Sequence, residues 1–259
     1  MDPTTLAPAP LAIIGVRLNV TDIDRATIFY TALGFTNVAP GRLAFGSVVL
    51  ELVAATGAAY PKPAFANDPW FQHFAIAVAD IFAATAIALG AGATSISHGG
   101  PQLLPPDTGG VTAWKFRDPD GHPLELSLIP GSDWLLAAQP GAMFLGVDHT
   151  AIAVTDLAAS QRWYEERGFA EIGRSRNQGL QQDRLDGLAS VIVDIVALAP
   201  PGAGPHLELL CYRVPAAAPL RCVDDSDVAA TRTLLSRGKS GRDLDAHRIA
   251  VFPLEHCSP

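Results

Sequence analysis

A strand-like phrase closing on Val-x-Asp occurs three times in this 259-residue chain. Internal repetition of this kind dictates architecture before any local propensity does, because each copy folds as one unit and the units must stack or pair to bury their cores. Ile14 to Ile23 aligns with Gln72 to Ile81 and with Asp148 to Leu157. The closing Asp is placed to cap a helix. Helices are accordingly predicted over Arg25 to Leu33, Ala83 to Leu89 and Ala158 to Glu166, two of them stopping at a glycine-aromatic pair, Gly34-Phe35 and Gly168-Phe169.

Strand-like stretches follow each helix and end in an apolar strand with a central glutamate: Val49 to Leu52 around Glu51, Pro123 to Leu126 around Glu125, and His206 to Leu209 around Glu208. The unit therefore reads βαβββ, and Asp118-Pro119-Asp120-Gly121 signals the tight turn of the last hairpin in the second copy. A fourth, shortened copy is expected. In it Val223-Asp224-Asp225 precedes a predicted helix ending near Gly238, and Asp243 to Val251 echoes Asp118 to Leu126. Connectors rich in Pro, Gly and Ala separate the copies at Pro61 to Pro69, Pro130 to Gly141 and Val214 to Pro219. The expectation is an α+β protein of tandem βαβββ modules at about 11–56, 70–131, 145–213 and 218–259, grouped into halves 11–131 and 145–259.

Composition narrows the function. Hydrophobic residues at 49% against 17% charged suit a compact core. The formal net charge of −8 argues against nucleic acid or an anionic membrane as partner, since both need a basic face. A small-molecule substrate is expected instead, for a monomer or homodimer. Met1 to Pro10 lacks the basic and apolar stretches of a secretory signal and reads as a loose tail. No apolar run approaches the roughly eighteen residues needed to span a bilayer. Cys211, Cys222 and Cys257 share no C-x-x-C spacing and read as reduced thiols. A cytoplasmic protein is expected.

Side chains alternate between the faces of a strand, so parity says where each residue points. Phe74, Ile76 and Val78 share one face, leaving His73, Ala75 and Ala77 on the other; Thr150, Ile152 and Val154 likewise oppose His149, Ala151 and Ala153. The bulky face suits packing on a helix, while the histidine face carries small neighbours and leaves volume. Glu125 and Glu208 sit between leucines pointing the opposite way. A buried, unpaired carboxylate would cost several kcal/mol, and a cation is its natural partner. A lone mid-strand histidine is more often structural, but the matched positions in two repeats select one divalent-metal site with His73, Glu125, His149 and Glu208 as ligands. Imidazole and carboxylate suit Zn, Ni, Co, Mn or Fe, and the lack of thiolates argues against structural zinc.

These residues resemble the vicinal oxygen chelate superfamily of glyoxalases, bleomycin-resistance proteins and extradiol dioxygenases. The most specific pieces are Phe116 to Leu126, and Val147 to Asp156 with Trp163-Tyr164 behind it. The resemblance implies paired units forming half-open mixed β-barrels, with ligands from the first and last strand of each unit. Matched in this way, the units offer Gly15 and Glu51, His73 and Glu125, His149 and Glu208, and Ala218 and Ala250. Pairing the second unit with the third completes the set and is the expected arrangement; the alternative pairs sequential units.

The resemblance further implies an isomerase or lyase in which Glu208 or Glu125 shuttles a proton while the metal stabilises an enolate-like charge. The alternatives are a non-haem iron dioxygenase using His73, His149 and one glutamate, and a non-catalytic binding or resistance protein. In the latter, Arg17 and Asn19 would offer an outer anion site. Asn177, Gln178, Gln181 and Gln182 form a polar stretch with two readings, substrate contact and plain hairpin loop. His122 and His206 are not expected to be catalytic. Gly99 to Gly110 reads as a loop near the cavity.

Overall fold

The computed structural model describes residues 10–131, 137, 139–217 and 222–251. The first unit runs β1 (Ile13–Val20), α1 (Ile23–Ala32), β2 (Thr36–Ala39), β3 (Arg42–Phe45) and β4 (Val48–Ala54). The second runs β5 (Gln72–Val78), α2 (Ile81–Gly90), β6 (Thr94–Ser95), β7 (Gln102–Leu103), β8 (Thr112–Arg117) and β9 (Pro123–Leu128). The third contains β10 (Phe144–Ala153), α3 (Leu157–Glu165), β11 (Ala170–Gln178), a short α4 (Leu180–Asp186), β12 (Ile192–Ala199) and β13 (His206–Val214). The fourth is β14 (Arg232–Leu235), β15 (Gly241–Arg242) and β16 (Arg248–Val251).

The three Val-x-Asp phrases act as expected. Asp22, Asp80 and Asp156 cap α1, α2 and α3, their carboxylates accepting backbone N–H groups of the first turn. Each helix then closes with a bond from the residue five positions on: Phe35 to Tyr30, Ala93 to Ala88 and Phe169 to Tyr164. These caps fix where each helix leaves its strand, and so which strand face the helix covers.

Two open mixed sheets result. One has the order β15-β16-β14-β1-β4-β3-β2 and the other β11-β12-β13-β10-β5-β9-β8-β6, with β7 paired to β8. The first sheet joins units one and four through antiparallel β1 and β14, and the second joins units two and three through antiparallel β5 and β10. The bulky faces of β1 and β5 share a core with α1 and α2, in which Leu18, Phe29, Tyr30, Phe74, Ile76 and Trp114 are buried. A second core gathers Ile152, Val154, Leu157, Tyr164, Leu209 and Ile249 around α3.

The fourth unit departs from expectation. No helix follows Val223-Asp224-Asp225 among the described residues, and the segment predicted to be helical holds β14 instead. The edge of β1 explains this: its backbone polar groups need a partner strand, and Ile13, Gly15, Val16 and Arg17 pair with Leu235, Leu234, Thr233 and Arg232. Asp225, which would cap a helix, instead receives Arg242 and Arg248. The register also moves one equivalence, for Arg232 stands where the third unit has His149, and not Ala218, which lies outside the described residues. The tail 1–9 and Cys257 lie outside them as well. Cys211 is buried and Cys222 exposed, and among the described residues neither is in a disulfide. Among the described residues no helix is long and apolar enough to cross a membrane.

Candidate metal centre

Strand register assembles the site. Ala75 of β5 lies between Glu125 of β9 and His149 of β10, and Ala151 of β10 lies between His73 of β5 and Glu208 of β13. Residues paired across neighbouring strands share a face, so two rows, Glu125-Ala75-His149 and His73-Ala151-Glu208, put all four side chains on one surface. The two alanines keep its middle clear.

Donor atoms of His73, Glu125 and His149 all lie within 4.8 Å of one another. His73 Nε2 is 3.6 Å from Glu125 Oε2, and His149 Nε2 is 3.7 Å from Glu208 Oε2. Ligands held at about 2.1 Å from a common ion stand about 3.0 to 4.2 Å apart, so these spacings fit a shared cation after shifts of a few tenths of an ångström. Glu208 stands outside the tightest group and reaches it through His149.

Hydrogen bonding makes the same point. Both ring nitrogens of His73 and Nε2 of His149 are buried without a hydrogen-bond partner. Each such orphan costs about 1–3 kcal/mol, and a coordinated ion would remove that cost for one nitrogen of each ring. His149 Nδ1 faces Asp148 Oδ2 at 2.9 Å. A carboxylate there fixes the ring's tautomer and aims Nε2 at the centre, as around metal-bound histidines. Burial, with help from Lys115 and His149, holds His73 well below the ordinary histidine range and keeps its lone pair free. Burial would lower His149 too, but the carboxylates of Glu208, Asp148 and Glu125 together carry it up to about 9. Burial raises Glu125 despite Lys115 and His149. In Glu208, burial is outweighed by His149 and His206, and its carboxyl is lowered. The residues present therefore fit a divalent cation.

Lys115, Ser127 and Asp186 escaped the sequence reading, while His206 is named there as not catalytic. Row extension places Lys115 of β8 beside Glu125, and His206 beside His149. Lys115 is buried and pairs with Asp186 of α4 at 2.6 Å. His206 Nε2 lies 3.7 Å from Glu208 Oε1. Ser127 Oγ donates to Glu125 Oε1 at 2.7 Å. The signal for Lys115 was present in the Asp118 to Gly121 turn, which sets the hairpin register; α4 carries no such signal. Of the polar stretch, Asn177 and Gln182 are buried and line the cavity, while Gln178 and Gln181 are exposed. Leu104, Thr108 and Gly109 of the predicted loop complete the lining of a 330 Å³ cavity. His122 is buried at the foot of its turn, bonded to Asp118 and to the Val228 carbonyl.

The sheet of units one and four lacks the set. A Cβ on Gly15 would stand 1.9 Å from the Val49 carbonyl oxygen, so no ligating side chain fits there. Arg17 takes the place of Ala75 and pairs with Glu51, Arg232 replaces the histidine, and Ala250 replaces the second glutamate. Asn19 donates to the carbonyls of Asp225 and Asp227. Arg17 and Asn19 are thus both engaged within the protein.

Residues 12–126 match the family model for the Glyoxalase/Bleomycin resistance protein/Dioxygenase superfamily. The match covers the first two units, which are similar to that superfamily in sequence. The likeness in fold runs further than the match of this superfamily's model. The V278E mutant of glyoxalase I from Zea mays superposes with a TM-score of 0.60 at 16% identity, over 93% of this chain and 92% of that one. Zea mays glyoxalase I in a second structure gives 0.52 at 18% identity, over 80% and 69%. At these identities the likeness is one of fold. Comparison with curated proteins gave no match.

Proposed function

We propose that this protein is a divalent-metal-dependent enzyme of the glyoxalase-like isomerase or lyase type, acting on a small oxygen-rich substrate. The observation that carries the reading is the meeting of His73, Glu125 and His149 within 4.8 Å around buried ring nitrogens that have no other partner. A bound Zn, Ni, Co, Mn or Fe ion would polarise substrate oxygens and offset an enolate-like charge. His73, Glu125, His149 and Glu208 would hold it.

The two glutamates are unequal, which supports different roles. Glu125 is tied by Ser127 and is 10% exposed at its side chain, whereas Glu208 is 24% exposed and among the described residues has only histidines within ion-pair reach. A carboxylate that moves a proton must leave its cation and return, so Glu208 is assigned the proton transfer and Glu125 the fixed position. The maize glyoxalase I likeness supports the same class of reaction without fixing the substrate.

Metal analysis of protein purified without added metal tests the centre. Wild type is expected to hold about one ion per chain, and His73→Ala and His149→Ala are each expected to lose it. Retention in His149→Ala with loss in His73→Ala would mean that the third unit contributes nothing.

A second reading has its own support, because His73, Glu125 and His149 taken alone make a two-histidine, one-carboxylate set of the kind non-haem iron oxygenases use. Anaerobic iron loading followed by oxygen uptake with a panel of catechols separates the two. Consumption with a ring diol supports the dioxygenase, and none supports the isomerase or lyase.

A further inference from the structure

A run of hydrogen bonds begins at a buried ion pair and ends on an amide of the cavity wall, and its direction is fixed throughout. The Lys115 ammonium donates to Asp186 Oδ1 at 2.6 Å, and Asp186 Oδ2 accepts from Gln182 Nε2 at 2.7 Å. An ionised carboxylate has only acceptors to offer, so Gln182 must present its nitrogen to Asp186 and turn its oxygen away. That oxygen accepts from Asn177 Nδ2 at 3.2 Å. Turning Asn177 over would set two amide oxygens against each other. Its Oδ1 is therefore the atom left over, and it is buried with no hydrogen-bond partner. Asn177 is only 5% exposed. Asn177 and Gln182 line the same 330 Å³ cavity as His73, Glu125, His149 and Glu208.

Structural tethering of α4 to β8 accounts for Lys115, Asp186 and Gln182. It does not account for a buried acceptor at the end of the run. A plain hairpin residue at position 177 would face solvent, as Gln178 does.

We infer that the cavity is built for a substrate bearing a hydroxyl group at a set distance from the oxygens that meet the metal, with Asn177 Oδ1 accepting that hydroxyl. The inference rests on the metal-centre reading above and narrows it, favouring hydroxylated carbonyl compounds over plain dicarbonyls of equal size. The physical basis is asymmetric. A site with a buried acceptor penalises an analogue lacking the donor, because the acceptor is then left unpaired, whereas an apolar wall discriminates weakly.

The test uses zinc-loaded full-length protein and hydroxamic acids, which chelate through two oxygens. Each member of a series of increasing chain length carries a terminal hydroxyl and is matched with its methyl ether. Calorimetry is expected to show, at one chain length, about tenfold or more tighter binding of the hydroxyl compound. Asn177→Leu is expected to abolish that preference. Gln182→Met, which frees the Asn177 amide to rotate, is expected to shrink it, with zinc content unchanged in both variants. Binding of hydroxamates with no hydroxyl preference at any length overturns this inference and leaves the metal centre standing. Failure to take up zinc overturns the metal centre, and the inference falls with it.

Discussion

Gly121 and Ala246 occupy the same place in equivalent turns of units two and four, and both are left-handed, with φ of +105° and +66°. In the first turn Asp118 Oδ1 accepts the backbone N–H groups of Asp120, Gly121 and His122, and in the second Asp243 Oδ1 accepts those of Asp245 and His247. The turn geometry is thus set by an aspartate and imposed on whatever residue stands three positions after it. An L-residue pays about 1–2 kcal/mol there, and glycine's extra freedom in the unfolded chain returns about 0.4–1 kcal/mol of that difference. Ala246→Gly is therefore expected to stabilise the protein by about 0.5 kcal/mol, since the exposed methyl packs on little. Gly121→Ala should destabilise by about 1–3 kcal/mol, because the new Cβ would also stand 2.9 Å from Tyr60 Cβ. Urea midpoints measure both, and shifts of the opposite sign would refute the account of the turn.

These turns also lock elements of one unit to the next. Asp118 Oδ2 accepts from Tyr30 of α1 at 2.8 Å, and Asp243 Oδ2 from Tyr164 of α3 at 2.8 Å. In the first lock, burial opposes both charges of the pair. Even so, His122 and the Tyr30 hydroxyl hold Asp118 below its ordinary value of 3.8, and Asp118 holds His122 above 6.5. The lowered Asp118 contributes stability in full above 3.8 and loses it as pH falls through its folded value. The raised His122 contributes in full below 6.5 and loses it as pH rises through its folded value. The stability gap between wild type and an Asp118→Asn, His122→Gln double variant should therefore be widest between 3.8 and 6.5 and narrow on either side. Urea unfolding across that range checks this, and a gap that keeps widening above 6.5 would contradict it. Much at this scale was legible in advance. Capping aspartates gave three helices, and period-two parity put His73, Glu125, His149 and Glu208 on one face. The fourth unit was not legible, because Val223-Asp224-Asp225 imitates a cap while the unpaired edge of β1 demands a strand, a tertiary need that local pattern does not encode. Asp186 was hidden for a related reason: its partner Lys115 lies on another element, and only the packing of α4 on β8 brings them together.

Taken whole, the molecule is interlocked. The halves 11–131 and 145–259, an expectation from the repeat pattern, each contribute one unit to each sheet, so β1 and β5 of one half find their antiparallel partners β14 and β10 in the other. The buried cores run the other way. The larger one lies almost wholly within the first half, around α1 and α2, and the second is gathered mainly within the latter half around α3. Each half thus keeps most of a core when separated but exposes two central strands along their length, and unpaired edges of that kind recruit other chains. We propose that the halves fold only together. Produced alone, residues 11–131 carry His73 and Glu125 without His149 and Glu208, and should neither hold metal nor remain monomeric. Mixing the two halves should restore a single particle with about one ion, read by size exclusion and metal analysis. Because the sheets pair across the halves, protease cleavage between them should leave the assembled particle and its metal intact. A separated first half that stays monomeric and binds the ion would show that the cross-sheet pairing of β5 with β10 contributes nothing to the centre.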